Sequence, residues 1–461
     1  MRRGDRKGAT LSVSSGSPQL QLDEATRQSP CPPDVYLPIE VTSREYSGNV
    51  LLAVELVSRG LNVVVGEKGP ARRYMHASTS PGLLFYKGGT DGWRGPVPHT
   101  KVGMDPEAGI VCDDFADCFA ERPLLAAIDR TAGQFCFGPD DHAFFSRRFP
   151  HFQNRIHLTG SPRVSLWGRS GDGWYADDVA EIRAHHGEFV LFASSGGFIN
   201  ETYRSGQFAV DVARFDDRAA RARRFLELAV RVSRELGIDV VIRPHPGSDS
   251  WDAWQRATAD SSRISVEGHL DLSAWVRAAT AVVHPGHSSA AFEAVLAGTP
   301  AVSAGLEDSS NAATRISHAP AKDLKTGEDP VVELIRLAIE GELPALASGA
   351  ARDVLQRKLV HPVDGASQRI AEGLMSTIDF DATSGLPTPV SRRAWWSLPV
   401  RAVRDRRPRR RLGQADAPPF KGSPMHLERV EKDVESARQV LGVTDPVHVT
   451  QSDLDLFVLR P

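Results

Sequence analysis

Two short stretches of the chain concentrate side chains that handle anions. One is Arg243-Pro244-His245-Pro246-Gly247, directly after the apolar run Ile238–Ile242. The other is His284-Pro285-Gly286-His287-Ser288-Ser289, directly after Ala281–Val283. Guanidinium, imidazole and hydroxyl groups all donate hydrogen bonds that a phosphate oxygen accepts. Ser288 or Ser289 then opens the alanine-rich segment Ala290–Ala297, with Glu293 in its first turns and Gly298-Thr299-Pro300 behind it. A capping hydroxyl, a terminal glycine and a proline stop predict a helix. The N-terminus of such a helix presents free N–H groups and a partial positive charge.

These residues need strands to hold them. Short apolar runs bounded by Pro and Gly predict buried parallel strands. Open α/β sheets take ligands outside the carboxyl ends of their strands. The combination suits an anionic ligand, most simply a nucleotide mono- or diphosphate. For one His-Pro pair, a histidine that only ties down a loop is the better account. Two basic loops at two strand ends within one unit reverse that balance. A further candidate, Ser194-Ser195-Gly196-Gly197 after Phe189–Ala193, brings small residues whose backbone N–H groups can approach a phosphate closely. Ordinary turns use the same residues.

Composition bounds the rest. The 461 residues are 41% hydrophobic and 25% charged, which predicts a soluble chain with ample core. A net charge of −3 carries no global nucleic-acid signature. Cys31, Cys112, Cys118 and Cys136 show neither CxxC spacing nor a histidine-linked zinc pattern, so they read as reduced thiols of a cytoplasmic protein. No metal site and no cofactor is expected. No apolar run approaches the ~20 residues of a spanning helix. The N-terminus has charge but no apolar h-region, unlike a secretory signal.

Four segments follow from the pattern along the chain. Residues 1–32 are rich in Ser, Gly, Gln and Arg and predict disorder. Residues 33–170 predict a first Rossmann-like domain, beginning with strand, leucine-rich helix, Gly60, strand and glycine-rich loop. Within it lie Asp105-Pro106-Glu107-Ala108-Gly109 and Asp113-Asp114. Solvated loop charge is the plain account of these acids; a general base at the domain's mouth is the sharper one. Residues 171–385 predict a second Rossmann-like domain that binds the nucleotide and ends in closing helices. Residues 386–461 are set apart as a basic tail with an amphipathic helix, His426–Leu441. The fold class is α/β throughout.

Two α/β domains with the ligand loops in the second resemble the GT-B glycosyltransferases. Val35-Tyr36-Leu37-Pro38-Ile39-Glu40, with Ser43-Arg44-Glu45 and the leucine-rich helix after it, resembles the start of a bacterial family of surface carbohydrate biosynthesis proteins. Thr159-Gly160-Ser161-Pro162-Arg163, Arg243-Pro244-His245-Pro246, and His284…Ser288-Ser289…Glu293…Gly298-Thr299-Pro300 resemble that family in order and spacing, as does Pro418-Pro419-Phe420-Lys421. The His-Pro and hydroxyl pairs are also similar to those of bacterial sialyltransferases, Kdo transferases and glycerophosphotransferases, which use cytidine-linked donors. That likeness implies a His-Pro histidine on the donor phosphate and a base from an acidic-acidic-glycine motif. This chain departs from the motif, with Pro106 between its acids and Ala108 before Gly109.

The expected reaction is an inverting, metal-independent transfer of a sugar or sugar-like group from a nucleotide-activated donor, CMP- or CDP-linked by preference. The acceptor is a glycan or a lipid-linked glycan. Glu107 first and Asp105 second are the expected bases. Arg243, His245, His284, Ser288, Ser289, Gly196 and Gly197 are expected around the donor phosphate. Glu293, one turn past Ser289, is expected on the ribose hydroxyls. Glu40, Arg44 and Glu45 take acceptor-side or structural roles. Two alternatives stand beside this reading: a nucleotide-sugar 2-epimerase using the same cleft, and a non-catalytic glycan-assembly subunit. Finally, Arg392–Arg411 holds nine arginines with Trp395 and Trp396, which predicts peripheral contact with an anionic membrane on the cytoplasmic side. A solvated basic linker is the bland account, and no nucleic-acid partner is expected.

Overall fold

The computed structural model describes residues 35–78, 82–86, 99–105, 108–111, 113–116, 128, 131–195, 212–246, 249–306, 311–319, 330–377 and 425–461. Glu107, Gly196, Gly197 and Arg392–Arg411 lie outside the described residues.

The first sheet starts with β1 (Val35–Ile39), buried along its whole length because both its faces are covered. Then come α1 (Thr42–Ser58), β2 (Val63–Glu67), α2 (Lys68–Ala77), β3 (Leu83–Tyr86), β4 (Thr100–Gly103), β5 (Gly133–Cys136), α3 (Pro139–Arg148) and β6 (Ile156–Leu158). These strands are all parallel, in the order β2-β1-β3-β4-β5-β6. The winding reverses between β1 and β3.

Helices α4 (Pro162–Ser165) and α5 (Ala176–His186), with a short helix at Ser170–Trp174 between them, lead to the second sheet. It comprises β7 (Phe189–Ala193), α6 (Val212–Leu236), β8 (Asp239–Arg243), α7 (Trp251–Thr258), β9 (Ile264–Val266), α8 (Leu272–Ala278), β10 (Ala281–His284), α9 (Ala290–Ala297) and β11 (Ala301–Ser303). The order β11-β10-β7-β8-β9 is again wholly parallel, and the winding reverses between β7 and β10. β7, with Phe189 to Ala193 buried throughout, is the central strand that its unbroken apolar run predicts. α9 ends as its sequence predicts, with Gly298 left-handed at φ 82°. The fold is thus α/β, with two parallel Rossmann-like sheets.

After α10 (Ala312–Ile316), α11 (Pro330–Ile339) and α12 (Gly349–Lys358), the chain does not stay with the second sheet. Helix α13 (Ala366–Thr377) packs on α1, and its Arg369 Nε donates to Thr159 O at 2.7 Å. The end of the chain also returns. α14 (Leu427–Leu441) packs on α1, where Tyr46 Oη donates to the buried Asp433 carboxylate at 2.8 Å. β12 (His448–Asp453) and β13 (Leu456–Arg460) form a hairpin whose second strand runs antiparallel to β2, pairing Leu456 with Gly66 and Leu459 with Val63. The stretch after residue 425, set apart by its composition, therefore forms the far edge of the first sheet. Gly66 is needed there, since a Cβ at that position would run into the Asp455 carbonyl. With α13 and α14 covering it as well as the sheet, α1 is buried from Val50 through Val54 rather than along one stripe.

Candidate functional site

Among the described residues, several polar links between the two sheets join elements that follow strand carboxyl ends. Ser47 Oγ, on α1 after β1, lies 3.0 Å from Asp271 Oδ2, on the loop after β9. Arg163, on α4 after β6, reaches Glu293 on α9 after β10 at 3.3 Å. Arg315, on α10 after β11, makes two bonds of 2.7 and 2.8 Å to Asp113, which follows β4. Lys358, on α12, lies 3.6 Å from Asp113 and 3.5 Å from Asp140, with its ammonium 4.4 Å from the Phe115 ring centre. The carboxyl edges of the two sheets thus face each other across a shared seam. Asp113, one of the sequence's loop acids, is engaged in that seam and is no free base.

On the second sheet's side, the winding reversal is bounded by the ends of β7 and β10, where the sequence put its glycine and His-Ser-Ser loops. Ser194 N donates to Arg243 O at 3.0 Å, tying the ends of β7 and β8 together. Arg243 is buried, and its guanidinium donates to His269 O at 2.9 Å and Leu270 O at 2.6 Å. Burial pulls it down to about 10, which still leaves it charged at neutral pH. The expected phosphate ligand is first a clamp on the loop after β9. His245 stays partly exposed, with its backbone N–H donating to the buried Asp249 carboxylate at 2.8 Å. His284 is fully buried; its Nε2 pairs with Ser317 Oγ at 2.8 Å, and that hydroxyl donates onward to Ala313 O at 2.7 Å. Burial pushes His284 down to about 4, so it is neutral and turned into the core, away from the role given it by sequence. Ser288 Oγ accepts from Ala290 N at 3.2 Å at the start of α9, while Ser289 makes no side-chain cap bond.

Glu293 departs most from expectation. It is fully buried, bonded to the Ser273 hydroxyl and paired with Arg163. Burial raises its pKa and Arg163 opposes that shift. Asp271 stands beside it, accepting from Ser273 N at 3.1 Å as the cap of α8. The buried Tyr175 adjoins the same group, its hydroxyl raised by burial first and Asp271 next. Any ribose contact by Glu293 requires exchange with Arg163.

On the first sheet's side, a pocket opens where the winding reverses. Pro38 of β1, Phe85 and Tyr86 of β3, Met104 after β4 and Pro162 of α4 line it. Arg44, Glu45 and Asn49 of α1, with Arg163, complete it. Glu45 Oε2 accepts the Glu40 N–H at 2.7 Å and so fixes the entry to α1, while Arg44 pairs with Glu45 Oε1 at 3.1 Å. Glu40 receives the Tyr86 hydroxyl at 3.1 Å with Lys68 3.9 Å away. Burial, then the Glu40 charge, raises the Tyr86 phenol far out of range. Asp105 is buried just past β4. Sequence reasoning assigned no role to Arg163, Asp271, Ser273 or Tyr86. Arg163 lay inside a quoted motif, but its partner is 130 positions away.

No family model and no curated protein matches the chain. Among solved structures it is similar to the wall teichoic acid polymerase TagF, at 11% identity and TM-score 0.40, over 68% of this chain and 77% of that one. It is also similar to the S. aureus MnaA–UDP structure, at 12% identity and TM-score 0.45, over 78% and 100%. A third is a UDP-N-acetylglucosamine 2-epimerase, at 14% and 0.37, over 76% and 81%.

Proposed function

We propose that the chain transfers a sugar or sugar-like group from a nucleotide-activated donor, CMP- or CDP-linked by preference, to a glycan or lipid-linked acceptor in surface polysaccharide assembly. One observation carries the reading: the two parallel sheets, each with a winding reversal, meet at their carboxyl edges through Ser47–Asp271 and Arg163–Glu293, and crevices at such edges are where open α/β sheets bind ligands. The donor phosphates sit at the second sheet, near the loops after β7 and β10 and the N-terminus of α9, with His245 beside them. Arg243 positions the loop after β9. Glu107 or Asp105 removes the acceptor proton in an inverting displacement, and His245 with the N-terminus of α9 stabilises the departing phosphate. A thermal-shift screen of CMP, CDP, UDP, GDP and their sugars tests the reading. A ligand at 100 times its Kd adds roughly 2.7 kcal/mol of stability, and no shift with any of them would overturn it.

The buried Glu293 and its half-buried neighbour Asp271 favour one second reading, a 2-epimerase, which needs carboxylates inside the cleft. Incubation with donor alone separates the two: epimerisation without acceptor establishes the isomerase. The arginine-rich segment supports contact with an anionic membrane. Sedimentation with liposomes should show binding that rises with anionic lipid and is lost when the nine arginines become glutamines. Equal binding to neutral vesicles would remove that contact.

A further inference from the structure

The pocket at the first sheet's winding reversal has a floor and a rim of different chemistry. Pro38, Phe85, Met104 and Pro162 make the floor apolar. Arg44, Glu45, Asn49 and Arg163 make the rim polar. Both guanidiniums carry a carboxylate, Arg44 on Glu45 and Arg163 on Glu293. The rim is therefore dense in hydrogen-bonding groups yet balanced in charge. It is also rigid: a Cβ on Gly48 would stand 2.7 Å from Arg163 N, so α1 and α4 touch backbone to backbone.

This combination selects a ligand class. A phosphate or carboxylate would meet two guanidiniums whose charge Glu45 and Glu293 already neutralise, and it would be repelled by those carboxylates. An acyl or isoprenoid chain would strip water from the rim and return no hydrogen bonds. A neutral sugar ring does neither, because its C–H face suits the floor and its hydroxyls suit planar amide, carboxylate and guanidinium groups.

We propose that this pocket takes an uncharged pyranose ring of the acceptor. The proposal rests on the transferase reading and names its acceptor class. The donor-type loops lie on the opposite sheet, and Arg163 is the side chain that belongs to both walls.

Saturation-transfer NMR on the full chain tests it. The panel is methyl pyranosides of the gluco, galacto, manno and 2-acetamido-gluco series, with glycerol 3-phosphate and methyl glucuronide as anionic controls. At least one neutral pyranoside should bind, and the anionic controls should bind more weakly. Asn49→Trp, at a half-buried position on α1, should close the mouth and abolish the signal. Asn49→Ala should weaken binding by about tenfold or less. Nucleotide affinity should be unchanged in both variants. A preference for the anionic controls, or no pyranoside binding at all, would overturn the proposal. So would a signal that persists in Asn49→Trp with an unchanged melting curve, or in Asn49→Ala at full strength. Pyranoside binding without any nucleotide binding would instead sink the transferase reading and leave the pocket as a saccharide site.

Discussion

The two carboxyl edges that meet in the cleft are built alike and equipped differently. At the second sheet, residues that looked like ligands for phosphate already serve the fold: Arg243 holds two carbonyls, His284 holds Ser317, and Glu293 holds Arg163. At the first sheet, Arg44 and Glu45, given acceptor-side or structural roles by sequence, line an open pocket. A strand end selects residue types for what the loop needs as well as for what a ligand needs. A buried polar group must have a partner, and the first partners available are the loop's own carbonyls and hydroxyls. The difference between the edges therefore lies in which groups remain accessible once those needs are met.

The largest expected effect tests whether the first edge supplies the chemistry. Glu107→Gln should lower turnover by about 10²- to 10⁴-fold with donor binding nearly intact. Full turnover in that variant with Asp105→Asn inactive would move the role to the buried neighbour, and full turnover in both would leave the edge with binding alone. Single-turnover kinetics with saturating donor is the measurement.

Next in size is the link between the edges. Removing one member of a buried ion pair strands its partner, at a cost of about 3–5 kcal/mol. Arg163→Ala should approach that cost, because Glu293 is fully buried. The double variant Arg163→Met, Glu293→Leu should recover most of it, since a well-packed apolar pair replaces a charged one at little cost. Urea denaturation of both reads this directly. With Arg163→Met and Glu293→Leu also measured singly, additive losses would mean that the two side chains do not act as a pair.

Much of the architecture was legible in the sequence. The apolar runs at Val35–Ile39, Phe189–Ala193 and Ile238–Ile242 give parallel strands, the last as Asp239–Arg243, and the Ala290–Gly298 pattern gives a helix with the expected glycine end. Those are local patterns, set by periodicity and capping. The hairpin of β12 and β13 was not legible as part of the first sheet, because its partner β2 lies nearly four hundred residues away and nothing local names it. The same holds for α13 returning to α1. The site divided along the same line. Strand-end positions were readable, but burial was not, so Glu293 and His284 were read as ligands with no sign that packing encloses both side chains.

His284 provides a pH test of that enclosure. Its folded pKa of about 4 lies below the ordinary 6.5, so its contribution is present above pH 6.5 and is lost as pH falls toward 4. The gap corresponds to about 3 kcal/mol. His99, also lowered to about 4 by burial, acts in the same direction. Asp141 acts oppositely. Burial raises it to about 7 despite three backbone N–H donors, so its contribution is present below pH 3.8 and is lost as pH rises through 7. In urea midpoints measured from pH 4 to 8, His284→Asn should flatten the acid limb and Asp141→Asn the opposing slope. An unchanged acid limb in His284→Asn would mean that the imidazole reaches solvent, as a ligand at the second edge would.

The smallest expected effect separates two residues that the sequence placed side by side. His245 is partly exposed at the end of β8, so His245→Ala should cost nucleotide affinity of about 1.5–3 kcal/mol, the worth of a charge-assisted bond to phosphate. Its melting temperature should hardly move. Arg243→Ala should show the reverse weighting. It leaves the Leu270 carbonyl without that donor and the His269 carbonyl with the Trp275 indole N–H alone, and it uncovers the Trp275 ring, whose centre lies 5.9 Å from the guanidinium carbon. The first loss should be of stability, by about 1–3 kcal/mol, with affinity falling only as the loop after β9 loosens. Arg243→Lys should not rescue it, because one ammonium cannot reproduce a planar fork across two carbonyls. Isothermal titration with CMP and CDP beside thermal melts distinguishes the patterns. An Arg243→Ala chain that melts normally but has lost nucleotide would return the arginine to the phosphate and make the two edges alike.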